Sequence, residues 1–251
     1  MKKVAYICLM FLMSLKVFAS PSNEMVLRFD NNTSNAENIA EFIKTHQEKS
    51  QPHQIIFEFY DSNTAFLFPI QASDSKSIRE EIYRKSYPNG DFYYLIGDLS
   101  DGWTKSDYEK FYSVAKWLSL RGFRTIFNVA AFAIDLQEAL ANKNTSALIW
   151  NSHGATDGTI FDTNKVAIAT DTFVKLRTGN LKYILFANCD GYNSINKYGL
   201  RKMNKMRAMG WKYSITSNHL FEYIFSKKFD IDLSKALEKK IIKKPTRKIA
   251  L

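Results

Sequence analysis

A chain of 251 residues that is 45% hydrophobic and 24% charged, with a formal charge of +10, has the composition of a folded protein and excludes disordered and fibrous classes. No apolar run reaches the roughly 18 residues that a membrane-spanning helix needs. Two cysteines make neither a disulfide framework nor a four-thiolate metal site.

Residues 1–19 read as a secretory signal peptide. Lys2 and Lys3 form a basic start, Val4 to Leu15 a short apolar core, and Val17-Phe18-Ala19 a cleavage-type end. The brevity of the leader suggests bacterial export, to the periplasm or the medium. Its removal takes away Cys8 and three lysines, which leaves Cys189 as the sole cysteine, with no intramolecular disulfide partner. A lone thiol in an oxidising compartment is either buried and inert or kept for its chemistry.

Residues 20–90 are expected to form a small α+β unit, an accessory domain or a pro-segment. Met25 to Phe29 alternates like a strand, and Asn35 to Lys49 carries a helical stripe. Ile55–Tyr60 and Ala65–Ile70 read as a hairpin across Asp61–Thr64, Ser77 to Lys85 as a helix, and Pro88-Asn89-Gly90 as a turn.

From residue 91 strands and helices alternate. Phe92–Ile96 is a buried-type strand, and Ser106 to Glu109 has the capping-box spacing of a helix that stops at Gly122. Thr125–Val129 is the next strand, and Phe132, Leu136 and Leu140 mark a helix. Ala147–Trp150 and Lys182–Ala187 are further strands, with a short helix near Thr172–Arg177 between them. A basic helix over Tyr198–Met209, a strand over Trp211–Thr216 and a helix over Leu220–Phe225 follow, and residues 231–251 read as a basic helix or tail. This rhythm predicts an α/β fold with a mostly parallel sheet covered on both faces. Right-handed crossovers then put every strand's C-terminal end on one edge, where sites form in such sheets.

Two of those ends carry chemistry. One strand runs into Asn151-Ser152-His153-Gly154, and another into Asn188-Cys189-Asp190-Gly191. An imidazole exchanges protons near neutral pH, and a thiolate is the nucleophile of cysteine chemistry. The amides of Gly154 and Cys189 are candidate oxyanion donors. His219, near the start of the last helix, is a rival base but has no following glycine.

An apolar strand ending in His-Gly, followed by an apolar strand ending in a short small/polar-Cys step, resembles the caspase-like cysteine peptidases: caspases, metacaspases, legumains, clostripain types and CHAT-domain proteases. The resemblance covers roughly residues 91–230. It implies a caspase-like three-layer α/β/α sandwich, with Cys189 as nucleophile, His153 as general acid/base, and peptide-bond cleavage through a thioester. It also implies that acidic groups select a basic substrate residue, for which Asp98, Asp101 and Asp190 are placed; as turn or capping residues they have an ordinary alternative reading. Asn188 departs from the residues usual before the cysteine. The second reading is a catalytically inactive binding module on the same sheet, acting at the bacterial cell envelope.

A protein or peptide substrate is the expected partner. The basic run Arg201, Lys202, Lys205, Arg207 and the basic tail offer an anionic envelope surface a contact. No nucleic-acid motif accompanies these charges. No phosphate-binding glycine pattern and no metal-spaced His/Cys cluster appears, so no cofactor or metal is expected.

Overall fold

A computed structural model describes residues 24–30, 54–60, 76–99, 105–173, 180–202 and 206–237. The leader, the Asn35–Lys49 helix, the Ala65–Ile70 strand, Asp101 and the tail beyond Leu237 lie outside the described residues.

Seven strands form one sheet: β1 (Glu24–Asp30), β2 (Gln54–Tyr60), β3 (Gly90–Ile96), β4 (Phe123–Asn128), β5 (Thr145–Asn151), β6 (Tyr183–Ala187) and β7 (Arg207–Gly210). Their order is β1-β2-β4-β3-β5-β6-β7, and every neighbouring pair is parallel except β2 with β4. The helices are α1 (Lys76–Ser86), α2 (Lys105–Ser119), α3 (Ala133–Ala141), α4 (Gly191–Lys197), α5 (Ser217–Ile224) and α6 (Lys227–Leu237), with a 3-10 turn at Leu200–Lys202.

The sheet is apolar on both faces, and helices cover both. On one face Phe92, Tyr94, Phe127, Ile149 and Leu185 pack against α2, α5 and α6 through Phe111, Leu118, Phe221, Phe229 and Leu233. On the other, Tyr93, Leu148, Trp150, Ile184 and Phe186 meet α3 and α4 through Leu136, Leu140 and Ile195. Strands buried on both sides must read as continuous apolar runs, which is why β3, β5 and β6 are the plainest in the sequence. The expected α/β class with a mostly parallel, doubly covered sheet is what the chain adopts. None of the helices is long and apolar enough to cross a membrane, among the described residues.

Four expectations differ from the structure. β1 and β2 do not form a sheet of their own; they extend the main sheet, with β2 antiparallel to β4 through Ile55–Phe127 and Phe57–Thr125. The reason is apolar area: Phe29, Phe57 and Phe59 lie on the edge of Tyr112 or Phe127, so the strands bury their rings on α2 and β4. The second strand of the expected hairpin, Ala65–Ile70, and its turn lie outside the described residues.

The basic helix over Tyr198–Met209 is absent: α4 ends at Lys197, Gly199 takes a positive φ of 68°, and the chain re-enters the sheet as β7. The last strand is accordingly Arg207–Gly210 and not Trp211–Thr216. It stops where the Trp211 carbonyl is claimed by the Tyr192 amide at 2.8 Å. Finally, the division at residue 231 falls inside α6, whose Phe229, Leu233 and Ala236 are core residues.

Candidate active site

In the parallel run β4-β3-β5-β6-β7 the connections leave β3 in opposite directions on its two sides, so the crevice at the strand C-termini opens between β3 and β5. Gly97-Asp98 follows β3, Ser152-His153 follows β5, and Asn188-Cys189 follows β6. The β5–β6 register ends at Asn151 opposite Ala187. Beyond it the two neighbouring strands run into the His153-Gly154 and Asn188-Cys189 steps.

Direct packing brings these two steps together. A Cβ at Gly154 would lie 2.2 Å from Asn188 Nδ2 and 2.5 Å from the Cys189 carbonyl oxygen. Only glycine permits the contact, and Gly154→Ala is expected to push the two loops apart. Overpacking of this kind costs about 1–3 kcal/mol. Its signature is faster alkylation of Cys189 by iodoacetamide; an unchanged labelling rate and an unchanged melting temperature would contradict the tight approach.

The backbone around each step is held from behind. The Trp150 indole N–H donates to Ser152 Oγ at 3.0 Å, and Ser152 Oγ donates to the His153 carbonyl at 2.8 Å. The His153 amide donates to the Asp98 carbonyl at 2.7 Å, which joins the β3 and β5 ends. Asn188, buried under the site, donates through Nδ2 to the Cys189 carbonyl at 2.8 Å and to Ser194 Oγ at 3.2 Å. Its Oδ1 accepts nothing among the described residues. An orphaned buried acceptor costs about 1–3 kcal/mol. His153 is exposed, and Cys189 is a half-buried free thiol. Neither the Gly154 amide nor the Cys189 amide donates to a backbone acceptor among the described residues.

The segment after His153 is anchored to the helix after Cys189. Asp157 carboxylate pairs with Lys197 Nζ at 2.6 Å, and Asn193 Nδ2 donates to the Thr156 carbonyl at 2.8 Å. Gly158, at φ 85°, lies against the Asn193–Ser194 backbone, where a Cβ would come within 2.4 Å. The hydrogen bond from Lys197, then those from the Thr159 hydroxyl and amide, hold the Asp157 carboxyl well below the usual range. A depressed carboxylate favours the tied form at every pH above the ordinary Asp value and loses that advantage only as pH falls through the lower value. Protection of the 155–160 amides from hydrogen exchange is therefore expected to be flat from neutral pH through pH ~4 and to fall below it. Lys197→Met should loosen the segment at neutral pH and weaken that acid dependence to the part that Thr159 supports.

The other candidate residues fall as follows. Asp98 sits half-buried beside His153, bonded to it through the main chain. Asp190 follows Cys189 in a left-handed conformation at φ 55°, and its side chain makes no capping bond to α4. Asp101 lies outside the described residues. His219 takes part in a helix cap. Its Nδ1 accepts from the Thr216 amide at 3.2 Å, closing a capping box at the start of α5. Asn193, Asp157 and Lys197 carry no signal in the sequence, because their partners come from other elements; only Asn188 stands out there, by its position before the cysteine.

No family model matches the chain, and neither a curated protein nor a solved structure matches it.

Proposed function

We propose that the chain is an exported caspase-like cysteine endopeptidase, with Cys189 as nucleophile and His153 as general acid/base. The observation that carries this reading is the approach of Gly154 to the Cys189 carbonyl, which brings the His-Gly and Cys steps together at the C-terminal edge of the sheet. The unsatisfied Asn188 acceptor supports it, since strain is retained where a site needs it.

His153 takes the thiol proton of Cys189, and the thiolate attacks the carbonyl carbon of the scissile peptide. The oxyanion that forms is met by the amides of Gly154 and Cys189. Collapse breaks the C–N bond; the amine departs with the proton held by His153, leaving a thioester. His153 then deprotonates a water that attacks the thioester, and returns the proton to the departing sulfur. Asp98 and Asp190, flanking the two steps, supply carboxylates that favour a basic residue, Arg or Lys, on the acyl side of the cleaved bond. The signal-type leader supports action in the periplasm or the medium.

The test is a peptide library with one variable acyl-side residue, combined with a chloromethyl ketone probe. Cleavage after Arg or Lys and stoichiometric alkylation of Cys189 are expected. A folded, leader-free protein that cleaves nothing and leaves Cys189 unmodified would overturn the proposal in favour of a non-catalytic binding module.

A further inference from the structure

The sheet ends at β7, and the structure points there to a second site, independent of the proposed catalysis. We infer that the outer edge of β7, with the cavity beside it, docks an extended acidic peptide segment whose alternate side chains are apolar. Among the described residues no strand pairs with that edge. The Arg207 amide donates inward, to the Lys182 carbonyl at 2.8 Å. Strand geometry then turns the N–H and C=O of Ala208 and Gly210 outward. All four residues of β7 are half-buried, whereas those of β6 are fully buried.

A cavity of about 410 Å³ opens along β7, between it, α4 and the 3-10 turn. Ile195, Leu200 and Met206 give it apolar walls, and Ala208 and Gly210 are too small to fill it. A strand added to β7 sends every second side chain toward this face. The rim is cationic. Arg201 lies 4.5 Å from the Tyr192 ring centroid and Lys212 lies 4.6 Å from the same centroid, so one ring gathers two charges. From residue 191 to residue 221 the sequence holds no carboxylate, so no acidic neighbour in that stretch offsets Arg201 and Lys212.

Charge chooses the occupant. The chain's own tail carries Lys239, Lys240, Lys243, Lys244, Arg247 and Lys248, and a second copy would bring the same cations edge to edge. Both are repelled, and an acidic segment is attracted. Main-chain pairing and side-chain pockets together call for a peptide, where a lipid surface or a nucleic acid would use the charge alone.

The test is fluorescence anisotropy with the leader-free chain and a labelled acetyl-Glu-Leu-Glu-Leu-Glu-Leu-Glu-amide, which offers no basic residue for cleavage. Saturable binding is expected. N-methylation of alternate backbone amides in the probe should weaken it about tenfold or more, since each lost edge bond and its register count toward affinity. Arg201→Glu should weaken binding about tenfold as well, and so should Ala208→Pro, which removes an outward N–H that β6 does not use. Equal binding of the N-methylated and parent probes would overturn edge pairing. So would tighter, Arg201-dependent binding of a single-stranded oligonucleotide or of anionic vesicles. Absence of binding by the parent probe at millimolar concentration would overturn the site altogether.

Discussion

Cys189→Ala is expected to lower kcat/KM for a cleaved peptide by about four orders of magnitude or more, and His153→Ala by a similar factor. The two side chains act as one unit: the thiol needs the imidazole to become a nucleophile, and the imidazole has no proton to move without the thiol. The double variant should therefore be no slower than either single variant. Cys189 is half-buried and stands outside both hydrophobic clusters, so the alanine variant should melt at the parent temperature. Activity surviving in either single variant, with the fold intact, would remove that residue from the mechanism. His219→Ala serves as the contrast. It loses a helix cap on α5, about 1 kcal/mol of stability, with little effect on turnover.

The second large effect lies at the opposite end of the sheet. Asp91 is fully buried, and its carboxylate accepts from Arg124 Nε at 2.8 Å, Arg124 Nη2 at 3.0 Å, Tyr83 Oη at 2.9 Å and Asn142 Nδ2 at 3.2 Å. The group joins β3, β4, α1 and the end of α3. Burial, and then the Asp91 charge, push the Tyr83 hydroxyl well above its ordinary range, so it remains a donor throughout the accessible pH range. Asp91→Ala takes from the largely buried Arg124 guanidinium the carboxylate it hydrogen-bonds, leaving only the more distant Glu58 charge beside it. The expected cost is about 3–5 kcal/mol. For a chain of this size that is a fall in melting temperature of roughly 10 °C, readable by circular dichroism. A fall within a degree or two would show that water replaces the carboxylate at no cost.

Some of this was legible in the sequence and some was not, for physical reasons. β3, β5 and β6 announce themselves because a strand buried on both faces has no room for polar residues. The meeting of the His-Gly and Asn-Cys steps, seen where Gly154 packs on Asn188 and the Cys189 carbonyl, was legible too: parallel strands must deliver their ends to one edge, and both steps sit just past a strand. β7 was hidden, because Arg207-Ala-Met-Gly contains no β-branched or aromatic residue and follows a run of cations that suits a helix surface. It is a strand because β6 offers an edge, which is a tertiary cause. The place of β1 and β2 in the main sheet was hidden likewise. Alternation identifies a strand, but says nothing about which strand lies beside it. The clasp of Asn188 on the Cys189 carbonyl and the Asp157–Lys197 tie depend on separate segments arriving together, which periodicity does not encode.

The antiparallel seam between β2 and β4 also governs when the molecule can close. The strands synthesised first have no sheet to join until Phe123–Asn128 has emerged, and β1 reaches that sheet only by way of β2. Until then Phe29, Phe57 and Phe59 stay in water, on a ribbon that two strands alone hold weakly. These early strands thus wait for β4, and a nascent chain halted before Phe123 is a form exposed to self-association.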